Sequence, residues 1–274
     1  MVSIIIVNYN TGPRLAAALT SIHNHISHAH EIIIVDNHST DDSLERLPEP
    51  TRCTIVRETV NWGFAKACNI GAGLAKGQVL HFLNPDTMVT GELNSAYQQV
   101  EDELTPCLYA TQIIDEHGHA VKANFAFPTF KNLYRMLFKT GEVAKWYIGA
   151  SVLISKKLFQ DLEGWSEDYW LYAEDQDLFY RAHLAHVPTV QLKERVQHFQ
   201  GTSSKSEWSA RQRLLRVESS GWLFARKFHL RLSYLVFRHL GFAKGILTEP
   251  LHTFLEFITL WQVLLTGRAA QPPS

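Results

Sequence analysis

Three short stretches of this chain carry acids at places where an enzyme could use them. The first is Leu80 to Thr87, Leu-His-Phe-Leu-Asn-Pro-Asp-Thr. An apolar run of this length, cut off by turn residues, reads as a buried parallel strand. Pro85 cannot donate to a ladder and biases Asn84 away from helix, so the strand must stop there. Asp86 is thereby delivered to the carboxyl end of a central strand, where open α/β sheets bind ligands. Taken alone, the octapeptide also fits a simple Asn-Pro-Asp turn with a solvated acid. The second acid is Asp36, closing the apolar run Ile32–Val35. An acid there can accept hydrogen bonds from a ribose hydroxyl or a base N–H. It could equally cap the segment after Ser39, a role that suits Asp41 better.

The third stretch is Trp170-Leu171-Tyr172-Ala173-Glu174-Asp175-Gln176-Asp177-Leu178. Carboxylates at a helix start are favoured by capping and by the helix dipole, which accounts for one of them. Three acids in four residues, flanked by Trp165, Tyr169, Trp170 and Tyr172, exceed what a cap needs. Aromatic side chains beside a carboxylate suit a carbohydrate acceptor, with Trp170 and Glu174 in contact and a hydroxyl that must lose its proton to a general base. A departing diphosphate would need its charge stabilised, and a divalent ion does that. Magnesium takes one or two carboxylates plus phosphate oxygens and water, so Asp86 suffices. His198, after a short β-like segment, is either a further ligand or a structural histidine. The loop after the first strand has neither G-x-G-x-x-G nor G-x-x-x-x-G-K-[ST], so dinucleotide and P-loop chemistry lack their physical parts.

These acids need a frame, and the apolar pattern supplies one. Strands are expected at Val2–Tyr9, Glu31–Val35, Cys53–Arg57, Gln78–Leu83, Leu108–Ile114 and Ile148–Ser155. Helices are expected at Arg14–Ile26, Ser43–Leu47, Ala65–Ala75, Leu93–Leu104, Lys156–Leu162 and Asp175–Ala185. Pro13 marks the first helix start, and Gly71 and Gly73 mark possible close approach of backbones. Asp115–Gly118 reads as a hairpin turn, and residues 119–147 as an irregular lid or acceptor-side loop. Alternation of strand and helix with short loops implies βαβ units on a mostly parallel sheet, an α/β fold. Beyond Gly201 the pattern turns wholly helical, with one or two helices over Glu207–His239 and another over Pro250–Thr266. The last has a wide apolar arc.

The chain has 274 residues, 46% hydrophobic and 19% charged, which suits one large α/β domain with an appendage and argues against disorder. Cys53, Cys68 and Cys107 are too scattered for a disulfide framework or a zinc site. His23, His25, His28 and His30 read as a solvated helix face. The start of the chain lacks the layout of a secretory signal, and no run of about 18 apolar residues is present, so a cytoplasmic location is expected. The net charge of −1 hides an asymmetry. Residues 1–204 carry 16 Lys and Arg against 23 Asp and Glu, whereas 205–245 carry 9 against 2. This suggests a body over 1–204, a basic helical extension over 205–274, and an anionic partner for the latter.

Five stretches together carry a resemblance: Ile6-Val7-Asn8-Tyr9-Asn10, Val35-Asp36-Asn37-His38-Ser39-Thr40-Asp41, Asn61-Trp62-Gly63-Phe64-Ala65, Leu83-Asn84-Pro85-Asp86-Thr87 and Tyr172 to Leu178. In this order they resemble the family 2 inverting glycosyltransferases of GT-A fold, in particular the rhamnosyltransferase-like branch, over roughly residues 1–204. The resemblance implies a nucleoside-diphosphate sugar donor, dTDP-rhamnose favoured, and a saccharide or polyprenyl-diphosphate-linked acceptor in cell-surface polysaccharide synthesis. It implies that Asp36 contacts the donor's base or ribose, and that Asn8, Asn10, Asn61, Gly63, Asn69 and Asn84 belong to the donor side. Asp86, with His198, would hold Mg2+ or Mn2+, and Asp175 would be the catalytic base with Glu174 a polar neighbour. Three positions depart from the family pattern. Asn84 replaces the first acid of the usual Asp-x-Asp, Glu163-Gly164-Trp165 stands for Gly-Gly-Phe, and His186 occupies a position where a glycine usually follows the helix, which implies either a strained turn or a different one.

A silent sugar-nucleotide-binding scaffold of the same fold, a transferase using a UDP-hexose, and a nucleotidyltransferase are the competing identities. The last lacks the basic glycine-rich loop it would need. The C-terminal helices over 205–266 would either make peripheral membrane contact at the inner face of the cytoplasmic membrane or cover the core and form a homodimer interface. No nucleic acid is expected as a partner.

Overall fold

Alternate residues of the first strand, β1 (Val2–Asn8), enter two different cores. Val2, Ile4 and Ile6 face one and Ile5 and Val7 the other, and all are buried. A strand covered on both faces needs a continuous β-branched run, which is what this segment is. The same holds for β2 (His30–Asp36) and β4 (Val79–Leu83), which flank β1 in parallel. The computed structural model describes residues 1–49, 52–102, 105–199 and 208–267. Between those strands run α1 (Pro13–His25), β3 (Thr54–Arg57) and α2 (Phe64–Leu74). After β4 come β5 (Thr87–Val89), α3 (Asn94–Asp102), β6 (Leu108–Ile114), β7 (Asn124–Ala126), α4 (Phe130–Phe138) and β8 (Lys145–Tyr147). Then follow β9 (Ser151–Ser155), α5 (Lys156–Asp161), α6 (Glu174–Leu184), β10 (Thr189–His198), α7 (Ala210–Lys227), α8 (Arg231–Gly245) and α9 (Pro250–Thr266).

The main sheet has the order β3-β2-β1-β4-β9-β6-β10-β5. It is a mixed sheet. β9 lies antiparallel between β4 and β6, and β5 antiparallel to β10. The parallel part of the expected α/β sheet is β3-β2-β1-β4, and β9 runs antiparallel because its connection from β6 passes through β7 and β8 rather than through a helical crossover. Helices α1 and α3 cover one face through Leu15, Leu19, Ile22, Ala96 and Tyr97. α2, α5, α6 and α7 cover the other. Gly71 of α2 is required for this packing, since a Cβ there would lie 2.5 Å from Ile5 Cγ2. Gly73 faces open space and serves no such purpose.

Other expectations need correction. Residues 43–46 form turns, not a helix. The segment before Pro48 is too short to repay nucleation, and Asp41 Oδ1 accepts from the Ser43 N–H (3.2 Å) and hydroxyl (2.6 Å), competing with the helical ladder. Residues 119–147 are ordered: β7 pairs with β8 in a separate two-stranded sheet, and α4 lies in the connection. The 204/205 boundary, the start of the helix at Glu207, Pro50, the helix end at Leu104, and Lys205 and Arg268 lie outside the described residues.

The C-terminal helices are joined to the body. Phe224 of α7 is fully buried in the same cluster as Phe179 and Tyr180 of α6. Lys227 Nζ meets Asp177 at 2.8 Å and Asp168 at 2.9 Å. Ala225, Tyr234, Phe242 and Leu260 then form a small core among α7, α8 and α9. Glu218, buried on α7, pairs with Arg238 of α8, which also lies 3.8 Å from Glu256 of α9. Among the described residues no helix is long and apolar enough to cross a membrane.

Candidate functional site

The carboxyl ends of β1, β2 and β4 open onto a crevice of about 250 Å³. Val7, Tyr9, Asn37, Asn61, Gly63 and the Asn84–Asp86 turn line it from the sheet side. Trp170, Leu171, Tyr172, His198 and Trp208 close the other side.

The turn at Asn84 forms because β4 must end at Pro85. Asn84 N–H donates to Ala150 O (2.9 Å), and Thr87 N–H and hydroxyl both donate to Asn84 O (3.2 and 2.6 Å). Asp86, nearly buried, receives His198 from the end of β10, with Nε2 3.2 Å from Asp86 Oδ1. The antiparallel pairing of β10 with β5 sets this contact, since His198 lies opposite Thr87. Among the described residues, neither Asn84 Oδ1 nor His198 Nδ1, both buried, has a hydrogen-bond partner. Such orphans are expensive unless a ligand or ion satisfies them. A carboxylate, an imidazole and an amide oxygen at one turn form a donor set that suits a divalent ion. Among the described residues there is no cluster of three or more His, Cys, Asp or Glu, so remaining ligands must come from elsewhere.

The end of the crevice at β1 and β2 is braced by amides. Asn8 is wholly buried, donating from Nδ2 to Asp36 Oδ1 (2.8 Å) and Ser43 Oγ (2.8 Å) and accepting from Thr11 (2.5 Å). It stands behind the crevice and cannot touch a donor, so its assignment there is corrected. Asp36 also accepts from Ser39 N–H (3.3 Å) and sits at the strand end beside Asn37. Asn10, left-handed at φ 49°, accepts from Thr40 N–H (2.8 Å) and shapes the loop rather than lining the crevice. Asn37 is buried and was passed over in the sequence. It donates to Asn61 Oδ1 (2.9 Å) and Gly63 O (3.1 Å) and accepts from Trp62 N–H (2.9 Å), tying the two donor-side loops together. Gly63 has φ 84°, and a Cβ there would sit 2.2 Å from Trp170 O. Asn69 is corrected as well. It binds the backbone of Trp165, donating to O (2.9 Å) and accepting from N–H (3.0 Å), away from this crevice.

The acids of α6 divide by surroundings. Asp175 Oδ2 accepts from Gly149 N–H (2.9 Å) and Oδ1 from Gln176 N–H (2.7 Å). Burial pushes its pKa up to about 6, against the lowering effect of these backbone bonds. Gly149 adjoins Ala150, which binds Asn84, so the two acidic sites hang from one two-residue segment. Glu174 is buried deeper, and burial, with the neighbouring Asp175 charge second, holds its carboxyl well above the usual range. Its surroundings thus disfavour the charged form, which a base must adopt to act. Asp177 is fully buried and bonded to Arg181 (2.5 Å) and Lys227, which makes it structural. Trp165 and Tyr169 are core residues, whereas Trp170 and Tyr172 line the crevice. Tyr172 and Ala173 are both left-handed, φ 68° and 67°. Two such non-glycine residues in a row hold strain of about 1–3 kcal/mol each, beside the acid pair.

Trp208, just before α7, closes part of the crevice. Arg216 of α7 stacks between Trp170 (4.5 Å) and Trp208 (4.2 Å). In the sequence it was one of nine basic residues with nothing to single it out. With Lys227 and Arg238 it shows that much of that basicity is spent on internal contacts rather than on a free surface.

The sequence pattern of the family described as "Glycosyl transferase family 2" matches residues 3–162. Glycosyltransferase GlyG of Streptococcus pneumoniae serotype 4 is 30% identical over 108 residues, covering 38% of this chain and 36% of that protein. An uncharacterized glycosyltransferase of Haemophilus influenzae is 35% identical over 86 residues, 31% of this chain and 29% of that protein. The chain thus spans about a third of the length of the curated relatives it matches. Among solved structures, mannosyltransferase PcManGT from Pyrobaculum calidifontis, in complex with GDP-Man and Mn2+, superposes with TM-score 0.60 at 16% identity, over 97% of this chain and 76% of that one. S. aureus TarS 1-349 in complex with UDP-GlcNAc gives 0.58 at 18%, over 94% and 79%. These likenesses show the GT-A fold.

Proposed function

The chain belongs to glycosyl transferase family 2, and from that premise we propose that it moves one sugar from a nucleoside diphosphate to an acceptor hydroxyl with inversion at the anomeric carbon. The observation that carries this is that Asp86 and His198 meet in the crevice wall, while Asp175 is tied through Gly149 to the same two-residue segment that binds Asn84. Asn37 and Asn61 line the end where a base or ribose would bind, and Asp36 closes β2 beside Asn37. Asp86 and His198 would hold Mg2+ or Mn2+ at the diphosphate, which fits the buried orphans beside them. When bound, that ion supplies charge stabilisation for the leaving diphosphate. The neighbours solved with Mn2+ and with GDP-Man or UDP-GlcNAc support a donor of this class.

The bond changes balance simply. Asp175 takes the acceptor hydroxyl's proton, the oxygen bonds to the anomeric carbon, and the bond from that carbon to phosphate breaks with its electron pair leaving on the nucleoside diphosphate. A single base is enough, unlike the paired carboxylates of glycoside hydrolases. L-Rhamnose from dTDP-rhamnose is the favoured donor, on the strength of Asn84-Pro85-Asp86. The acceptor is a saccharide or lipid-linked saccharide in cell-surface polysaccharide synthesis, flanked by Trp170 and Tyr172.

Melting of the protein with dTDP-rhamnose, UDP-GlcNAc and GDP-mannose, each with and without Mn2+, identifies the donor. A metal-dependent rise is expected for at least one, lost in Asp86→Ala. Asp175→Asn should keep that rise and lose transfer. Near-wild-type turnover in Asp175→Asn would remove the base assignment, and no rise with any nucleotide sugar would remove the donor site.

A further inference from the structure

Helix α4 is built inside out. Phe130, Tyr134, Leu137 and Phe138, at i, i+4, i+7 and i+8, form one face, and they are 52%, 57%, 65% and 64% exposed. The side turned towards the protein carries Asn132, 1% exposed. Its amide donates to Phe127 O (3.0 Å) and Ala144 O (2.7 Å) and its oxygen accepts from Ala144 N–H (3.0 Å). A helix serving only its own domain would turn the aromatic stripe inward and the asparagine out. Here polar bonds fix the reverse orientation, so the apolar face is held for something else.

The charge around it points to the occupant. Residues 119–147 carry Lys122, Lys131, Arg135, Lys139 and Lys145 against the single acid Glu142, on a body that is otherwise net negative. A basic helix with an outward aromatic and aliphatic face matches an anionic bilayer surface, where rings enter the headgroup boundary and lysines meet lipid phosphates. A second copy of this chain is disfavoured by the same charges, because a twofold contact through this face would bring its lysines together.

The position ties this surface to the site. β8, which closes the α4 hairpin, packs Tyr147 on Phe179 of α6 at 5.6 Å between ring centres. Two residues on, Gly149 gives its N–H to Asp175. We propose that α4 is an interfacial anchor, seating the enzyme on an anionic lipid surface so that a lipid-linked saccharide reaches Asp175 from the membrane side. The acceptor half rests on the glycosyl-transfer function proposed above, whereas the docking half stands without it.

Co-sedimentation of the full chain with phosphatidylcholine vesicles, with and without phosphatidylglycerol, tests it. Binding is expected only with the anionic lipid and should weaken with added salt. The double variant Leu137→Glu/Phe138→Glu should lose at least about tenfold in vesicle partitioning, with melting temperature and the nucleotide-sugar melting shift unchanged. Lys131→Glu/Lys139→Glu should lose the anionic dependence. Leu251→Glu/Leu255→Glu, on the exposed stripe of α9, is the comparison. Failure of the wild type to bind, equal binding by the α4 variants, or loss only in the α9 variant overturns the proposal. So does a self-association, or capture of a soluble partner in place of lipid, that the α4 substitutions abolish. If no nucleotide sugar shifts melting while vesicle binding follows α4, the transfer function fails and the docking survives.

Discussion

Asp175 and Glu174 are sequence neighbours with different tasks because their carboxyls lie at different depths. With its pKa pushed up to about 6, Asp175 is protonated below that value and unable to take a proton. The acid limb of kcat/KM should therefore fall about tenfold per pH unit below roughly 6, reporting one group. Folding carries the same sign. A carboxyl whose pKa is raised in the native state contributes stability fully present below its unfolded value and lost as pH rises through the folded one. Asp175→Asn should thus melt above wild type at pH 8 and match it near pH 4, as calorimetry at the two pH values would show. Glu174→Gln, which keeps the Asp175 carboxyl, should leave the acid limb in place. His186 is a simpler case. It ends α6 at φ 58°, the left-handed position at which a glycine is usual, so of the two turns implied by the sequence the strained one is present. His186→Gly should raise stability by about 1 kcal/mol in denaturant unfolding, by removing that strain.

At the scale of elements, legibility followed the type of signal. Buried runs such as Val2–Asn8 and Val79–Leu83 announce themselves, because burial on both faces admits few residue types. The places of Asp86 and Gly63 at the crevice were legible because turn residues marked each. Asn8 and Asn69 were not, since an amide that ties loops together and one that binds a donor look alike in sequence. Arg216 was hidden for another reason: its meaning depends on Trp170 and Trp208, brought to it only by packing. The same applies to the basic helical extension. Composition separates it from the body, yet Phe224 of α7 lies in the central core among Phe179, Tyr180 and Phe228. Phe224→Ala should lower stability by about 3–5 kcal/mol in denaturant unfolding, as a single transition of the body and α7 together. Arg216→Ala should leave folding largely intact and raise KM, because the two indoles would lose the cation that stacks between them.

Over the whole molecule the crevice is assembled from distant parts of the chain. The first strands and the loops after them supply Val7, Asn37 and Asn84–Asp86, β10 brings His198, and Trp208 before α7 closes the other side. The end of this assembly proposed to hold the ion is poor in negative charge. Asn84 is neutral where the family pattern has an acid, and His198 already lies 3.2 Å from the one carboxylate, Asp86. One carboxylate with an amide and an imidazole is a weak cradle for a divalent ion, and the missing anionic oxygens are those a diphosphate would bring. Metal and donor should then bind as a linked pair, each raising the other's affinity by the same factor. Calorimetric titration with Mn2+ alone should show little heat, nucleoside diphosphate alone weak binding, and the two together binding tighter than either predicts. Asn84→Asp restores the second acid at a buried oxygen that now lacks a partner. It should lower the Kd for Mn2+ without donor by at least about tenfold and shrink the coupling between the two. If wild type binds Mn2+ equally well with and without nucleotide, Asp86 and His198 hold the ion by themselves, and the neutral Asn84 has no part in making the donor complete the site.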